Sequence, residues 1–482
     1  MGNKIAILGL DGLDRYFVED RLEDLGAFRE LMEEDRTGFL ESTLPPITAP
    51  AWACSFTGKR PERLDRFDFQ VLDFDTYEFD PVSDSEYWYQ EFWHFMDGRA
   101  AIADVPGFEI RDIDGWAVQG LFDMTEETTY PPELAGEMSE DLDDFLIEGL
   151  ESFSSEEDRR DAAFEFFEKR RKVLDWLIDN KDADVYFQVF RLPDTMMHHC
   201  DNDDQMLEAY RRCDEYVGEL MDRDDVNLIV LSDHGAVKAT RRFSVNTWLK
   251  ENGYLEQREG EERSALKDLA FEVAEFAERF GLRDYVVRAN ELWKSFTGEN
   301  FVERNLELDS VDWENTQAFS YMTGVCAYSG IWINDQRFAE PGTDDREEVK
   351  QSIRDEMSDH PLVEEVLTKE EAFEEQPEKF PDLVAVLKDK VKNDSDIKPD
   401  VTGKISSYMH RKQGFIGVHG PDLEMNEDDA ELIDLAPTVL HYFGEEIPDD
   451  MDGKVMDIFA GGSGPAEREP ERESSEVADL DI

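Results

Sequence analysis

Short apolar runs alternating with amphipathic helical patterns set the strongest limit on what this chain can fold into. Residues 5–8, 100–103, 185–190, 226–231 and 415–418 are such runs, several of them closed by turn residues. Between them, Phe164, Phe167, Val173, Leu174 and Leu177 recur at helical spacing over 164–178, and a second helical pattern covers 205–220. The alternation predicts a doubly wound α/β fold, a mostly parallel sheet flanked by helices. In such sheets the ligand crevice lies beyond the carboxyl ends of the strands. Asp11, Thr48, Asp194 with His198, Asp233 with His234, and His410 each follow, or lie close to, one of these runs. Carboxylates, imidazoles and one hydroxyl are the ligand and nucleophile types that a two-metal phosphoryl-transfer site needs.

Other segments complete the outline. Residues 45–50 (Pro-Pro-Ile-Thr-Ala-Pro) enter a helix running through Trp52 to Phe56 and stopped by Gly58 and Pro61. Strand signals recur at 318–321, 330–333 and 383–387, and a helix over 432–443 closes the fold. Between about 255 and 308 the pattern turns into charged amphipathic helix. The expected organisation is a catalytic core formed by 1–255 and 309–460, a helical insert over 256–308 acting as a cap or lid, and an acidic tail at 461–482 too polar to fold.

Composition narrows the class. Hydrophobic residues make up 40% of the 482, enough for a sizeable core. The net charge is −67, from 117 acidic against 50 basic residues, and the excess runs along the whole chain. Such a surface repels itself in dilute buffer and is screened at molar salt, where the Debye length falls to about 3 Å. A halophilic protein is the expectation. No basic patch points to nucleic acid or anionic membranes. Cys54, Cys200, Cys213 and Cys326 form no C-x-x-C pair and no disulfide spacing, which fits a reducing compartment. No apolar stretch approaches the roughly 20 residues of a membrane span, and the first residues run directly into a strand with no leader pattern. A cytoplasmic location is expected.

Each candidate residue also has a plain structural reading. Asp11-Gly12 suits an ordinary turn, and Thr48 suits an N-cap for the helix beginning at Ala49-Pro50. The same helix N-terminus favours an anion beside a nucleophilic hydroxyl, which a base or a metal must activate. Asp194 and His198, four apart after a strand, lie on one side of a helical turn, as a zinc-type site requires. His199 faces another direction. Asp233 and His234 are adjacent on a turn, and Gly235 permits close backbone approach. His198, His199, His234, His410 and His419 are five of the eight histidines, gathered in these few segments.

Together these motifs resemble the type I phosphodiesterase/nucleotide pyrophosphatase branch of the alkaline phosphatase superfamily. The matching segments are 5–12 (IAILGLDG), 45–52 (PPITAPAW) with Thr57-Gly58, 194–198 (DTMMH), 231–235 (LSDHG), 246–255, 410–414 (HRKQG) and 434–440 (DLAPTVL). The resemblance spans roughly residues 4–460 and implies an alkaline-phosphatase-like fold. It implies two divalent metals, zinc first, with manganese and iron as alternatives. Asp194, His198 and His410 would hold one, and Asp11, Asp233 and His234 the other, with Thr48 bridging as nucleophile. His410 is preferred over His419 for the last ligand because of its spacing to Gly414. His419 and His199 are left to support the ligands from behind.

The implied activity is hydrolysis of phosphodiesters or nucleotide pyrophosphates through a phosphothreonine. Phosphomonoesterase, phosphomutase, phosphonate hydrolase and sulfatase chemistry share the fold and are the alternatives, together with a non-catalytic binding protein. A sulfatase would need Cys or Ser in a Cys/Ser-x-Pro-x-Arg pattern, whereas residues 48–52 read Thr-Ala-Pro-Ala-Trp. The family's Pro-x-x-His-Gly is replaced by 61–65, Pro-Glu-Arg-Leu-Asp, which puts local substrate contacts in question. No match to the family's extra oxyanion-stabilising side chain is evident. The expected partner is a small phosphorylated substrate.

Overall fold

The computed structural model describes residues 4–81, 89–108, 113–120, 128–142, 145, 156–200, 202–258, 310–427 and 429–462. A nine-stranded sheet forms the centre. Its order is Asp429–Glu431, Thr37–Glu41, Gln413–His419, Asn227–Leu231, Ile5–Leu10, Val185–Phe190, Ala100–Ala103, Gly115–Val118 and Thr129–Tyr130. The strands from Asn227–Leu231 to Gly115–Val118 run parallel, Gln413–His419 is antiparallel to both neighbours, and Thr129–Tyr130 is antiparallel at one edge. The doubly wound, mostly parallel sheet expected from the alternating pattern is the observed one.

Every residue of Ile5–Leu10, Val185–Phe190 and Asn227–Leu231 is buried. Helices cover both faces, so these strands are mostly apolar without period-two alternation, Gln188 and Asn227 being the buried polar residues among them. Leu8, Leu10, Tyr186 and Val230 pack with residues of helices Glu156–Asn180 and Asp203–Met221 on one side. Ile5, Ile7, Phe187 and Ile229 pack on the other with Trp52 and Phe56 of helix Thr48–Thr57 and with Val439 and Leu440 of helix Leu435–Phe443. Burial of side chains as large as Trp52 and Phe187 contributes about 1.5–3 kcal/mol each or more, before entropy is subtracted.

Four strands between residues 318 and 387 do not join this sheet. Ala318–Ser320, Tyr328–Ile333, Leu383–Leu387 and Val363–Thr368 form a separate antiparallel sheet in that order. It has its own apolar cluster, including Phe319, Ile331, Val384 and Ala385. All of its pairings are antiparallel, and helix Arg346–Ser358 lies in the connection from Tyr328–Ile333 to Val363–Thr368. A third sheet places Gly235–Ser244 between Val391–Asp394 and Thr402–Arg411.

The helical insert expected over 256–308 lies outside the described residues from 259 onward, as does the tail from 463. The chain on either side of the insert is described. Gln257 pairs with Val311, Arg258 N donates to Ser310 O at 2.8 Å, and Asp312 N donates to Glu256 O at 2.9 Å. The described residues that flank 259–309 therefore lie side by side.

Candidate metal centre

Register brings the strand-end residues together. Leu10 pairs with Phe190, and Gly9 with Leu231, so three neighbouring parallel strands finish at one level. Asp11 follows the first, and its N–H donates to Phe190 O at 3.0 Å. Gly12 then turns with φ +74°, and a Cβ there would meet Asp194 Cα at 3.2 Å. That conformation and that closeness both call for glycine. Gly12 N donates to Asp233 Oδ1 at 3.2 Å, joining the first strand's turn to the third's.

Asp194 and His198 lie on helix Leu192–His199, directly beyond Val185–Phe190. Asp194 N donates to Asp11 O at 3.0 Å. His198 Nε2 lies 3.1 Å from Asp194 Oδ1, the one-turn neighbour relation that the spacing predicts. His410 arrives by a different route. Thr402–Arg411 pairs antiparallel with Gly235–Ser244, placing His410 opposite Ala236, two residues beyond His234. A Cβ on Gly235 would stand 2.2 Å from Gln413 O, so only glycine admits this approach.

Two groups result. Asp194, His198 and His410 offer ligand atoms within 4.8 Å of one another, and so do Asp11, Asp233 and His234. His410 Nε2 lies 3.5 Å from Asp194 Oδ1 and 3.3 Å from His198 Nε2. His234 Nε2 lies 3.5 Å from Asp11 Oδ1 and 3.4 Å from Asp233 Oδ2. The rings of His234 and His410 stack, centroids 3.6 Å apart, so the groups stand side by side.

Thr48 is the first residue of its helix; the cap position falls to Ile47, and no side chain caps that N-terminus. The N-cap role open to Thr48 on sequence grounds is therefore not used. Its hydroxyl is buried and lies 3.5 Å from His234 Nε2 instead.

The residues fit divalent cations. His410 Nδ1 meets Pro46 O at 2.8 Å, and His234 Nδ1 meets Gly235 O at 3.1 Å. A carbonyl only accepts, so each Nδ1 carries the hydrogen and each Nε2 is the ring nitrogen that faces the carboxylates. Asp11 Oδ1 and Asp233 Oδ2 are buried and receive no hydrogen bond among the described residues. An unsatisfied buried acceptor costs roughly 1–3 kcal/mol, more if charged, which a bound cation would relieve.

Protonation follows the same logic. Burial, then the charge of Asp194, raises Asp11 to about 7. Burial and the charges of Asp11 and Asp194 push Asp233 well above the usual carboxylate range. Burial pulls Asp194 upward too, but His198, His410 and Arg191 outweigh it and carry it well below. Burial lowers His198 to about 4 and, with His410 beside it, takes His234 well below its ordinary value. Neutral imidazoles beside crowded carboxylates are a donor set that gains from a dication.

His419 is not brought to this place. It pairs with Leu228 near the start of Asn227–Leu231, at the opposite end of the sheet from Asp233. The expectation that it supports the ligands is corrected: its strand is antiparallel, so one end reaches the site and the other points away. His199 follows His198 at the helix end, where its carbonyl accepts from Arg160 Nη1 at 2.8 Å. Sequence reasoning missed Arg191. It follows the Val185–Phe190 strand and lies 3.0 Å from Asp194 Oδ2 and 3.5 Å from Asp11 Oδ2. Its place at a strand end, three residues before Asp194, was the available signal.

The family profile for type I phosphodiesterase/nucleotide pyrophosphatase matches residues 5–422. The chain belongs to that family. Its fold is that of the alkaline phosphatase superfamily. Human ectonucleotide pyrophosphatase/phosphodiesterase 5 superposes with a TM-score of 0.55 at 14% identity, over 95% of this chain and 100% of that one. The murine counterpart gives 0.53 at 14% identity with the same coverage. Phosphonoacetate hydrolase from Sinorhizobium meliloti 1021 gives 0.54 at 12% identity, over 90% of this chain and 94% of that one. No curated protein sequence matches. Membership of the type I phosphodiesterase/nucleotide pyrophosphatase family makes the protein a hydrolase of the phosphoesterase type.

Proposed function

We propose that the protein is a two-metal phosphoesterase acting on phosphodiesters or nucleotide pyrophosphates, with Thr48 as its nucleophile. The observation that carries this reading is the pairing of two Asp/His triads side by side with the buried Thr48 hydroxyl against one of them. Asp194, His198 and His410 would hold one cation and Asp11, Asp233 and His234 the other, zinc being the first choice for imidazole and carboxylate donors. When bound, the cations supply Lewis acidity, activating the hydroxyl and neutralising charge on the phosphoryl oxygens.

Thr48 Oγ1 bonds to phosphorus while the ester or pyrophosphate oxygen leaves on the opposite side. Water then cleaves the phosphothreonine and restores the hydroxyl. An inactive threonine-to-alanine form of the murine relative, described in complex with AMP, supports both the nucleophile and a nucleotide-like substrate. The phosphonoacetate hydrolase likeness makes a phosphonate the second reading.

The 256–308 segment is read as a cap on the core, supported by the adjacency of its two ends at Gln257 and Val311. The −67 charge supports a halophilic setting in the cytoplasm. Among the described residues no helix is long and apolar enough to cross a membrane.

The test is metal analysis of protein purified in high salt, with turnover of bis-p-nitrophenyl phosphate, p-nitrophenyl phosphate and phosphonoacetate compared. About two divalent ions per chain and preference for the diester are expected. Absence of bound metal, or a faster monoester or phosphonate reaction, would overturn the reading.

A further inference from the structure

Asp11 and Asp194 each turn their two carboxylate oxygens toward different neighbours. Asp194 Oδ1 faces His198 Nε2 at 3.1 Å and His410 Nε2 at 3.5 Å, while its Oδ2 faces Arg191 Nη2 at 3.0 Å. Asp11 repeats the division. Its Oδ1 faces His234 Nε2 at 3.5 Å and its Oδ2 faces Arg191 Nε at 3.5 Å, an ion-pair contact without hydrogen-bond geometry. One guanidinium therefore stands behind one carboxylate of each triad.

We infer that Arg191 is a positioning residue that holds Asp11 and Asp194 as one-oxygen ligands and thereby ties the two metal sites together. The inference rests on the two-cation reading above. A carboxylate with both oxygens free can rotate to grip a cation with two, or turn away from it. The hydrogen bond to Asp194 Oδ2 and the guanidinium charge beside Asp11 Oδ2 oppose both motions and leave the front oxygens aimed at the imidazoles. A guanidinium suits the task because its charge is spread over Nε and Nη2, two nitrogens set apart on one rigid plane. Here those two nitrogens reach two carboxylates from two different strands.

The placement follows from the fold. Arg191 sits between strand Val185–Phe190 and helix Leu192–His199, and Asp11 lies one strand over, where Leu10 and Phe190 are in register. Its side chain is 21% exposed while those of Asp11 and Asp194 are at 0% and 2%, so the guanidinium reaches two buried carboxylates from a partly exposed position. Partners behind ligating groups typically change metal affinity by ~10–100-fold when removed. A residue serving a single site would change one affinity. Arg191 is placed to change both.

The experiment titrates the metal-stripped full chain, in high salt, with Zn²⁺ against a chromophoric chelator, and reads the two dissociation constants. Circular dichroism melting runs beside it to confirm the fold. Arg191→Gln is expected to weaken both sites by ~10–100-fold. Arg191→Lys keeps the charge but has one compact ammonium, so it is expected to restore one site at most. Loss confined to one site in Arg191→Gln, or no loss, overturns the inference. So does wild-type affinity at both sites in Arg191→Lys, which would make charge alone sufficient. If Arg191→Gln does not fold, Arg191→Lys decides: weakening of at least one site is expected, and wild-type affinity at both overturns the inference. Wild-type protein that binds no Zn²⁺ would sink the two-cation reading itself, a result distinct from any of these.

Discussion

The imidazoles of His234 and His410 stack with centroids 3.6 Å apart and planes 18° from parallel, although 175 residues of chain separate them. Each ring gives its Nδ1 hydrogen to a main-chain carbonyl, Gly235 O for one and Pro46 O for the other. The stack is thus the seam between the two ligand groups, and each ring is locked by backbone on the side away from its carboxylates. The arrangement makes the roles of individual residues separable by experiment.

Thr48→Ala is expected to remove nearly all turnover while leaving about two divalent ions bound. The hydroxyl lies 3.5 Å from His234 Nε2 but belongs to neither triad. Deleting one catalytic group typically costs at least ~10²-fold. Turnover and metal content measured on the same preparation check this, and more than a tenth of the wild-type rate would remove Thr48 from the mechanism.

His410→Ala is expected to drop bound metal from about two per chain toward one, since it deletes one of three ligands from a site that must also admit substrate. His419→Ala should leave the count unchanged, because its ring lies at the far end of the Gln413–His419 strand. Metal counting on both variants decides. An emptied site in His419→Ala with full occupancy in His410→Ala would reverse the assignment.

Lowering salt should unfold the protein. With a charge of −67 over 482 residues, repulsion unscreened at a Debye length of about 30 Å in 0.01 M salt favours expansion. Circular dichroism across a KCl series reports the transition. A cooperative fold that persists to low millimolar salt would rule out the halophilic reading.

Asp14 gives a pH prediction. Its carboxylate accepts from Phe17 N at 2.8 Å and Ala236 N at 3.2 Å, yet burial pushes it up to about 6. Raised above its unfolded value of about 3.9, the folded chain holds this proton more tightly than the unfolded one. Its linkage term therefore lowers stability as pH rises from about 4 to about 6, and the full penalty stands above that window. Asp14→Asn should flatten the difference in melting temperature across those values, with a constant offset for the altered hydrogen bonds. An unchanged slope relative to wild type would contradict it.

Much of this architecture was legible in the chain. The runs at 100–103, 185–190 and 383–387 read as strands because apolar segments of that length, bounded by turn residues, have few other uses. Five of the ligand residues were legible for a related reason: a polar residue just past such a strand in a parallel sheet has the crevice before it. The separate sheet formed by 318–320, 328–333, 363–368 and 383–387 was not, because a buried strand carries no mark of which sheet it joins.

By itself the sequence determined the class of the protein: the strand–helix alternation, the residue types at the strand ends and the acid excess are local or compositional properties. Tertiary structure decided which of those residues meet. Register placed Asp11, Asp194 and Asp233 at one level, and the antiparallel pairing of Thr402–Arg411 with Gly235–Ser244 delivered His410 while the antiparallel run of Gln413–His419 carried His419 away. It also brought Arg191 behind two carboxylates and set the hydrogen on each Nδ1 through carbonyls at Pro46 and Gly235. Those choices depend on distances between backbone segments remote in the chain, and pairwise geometry of that kind has no expression in residue order.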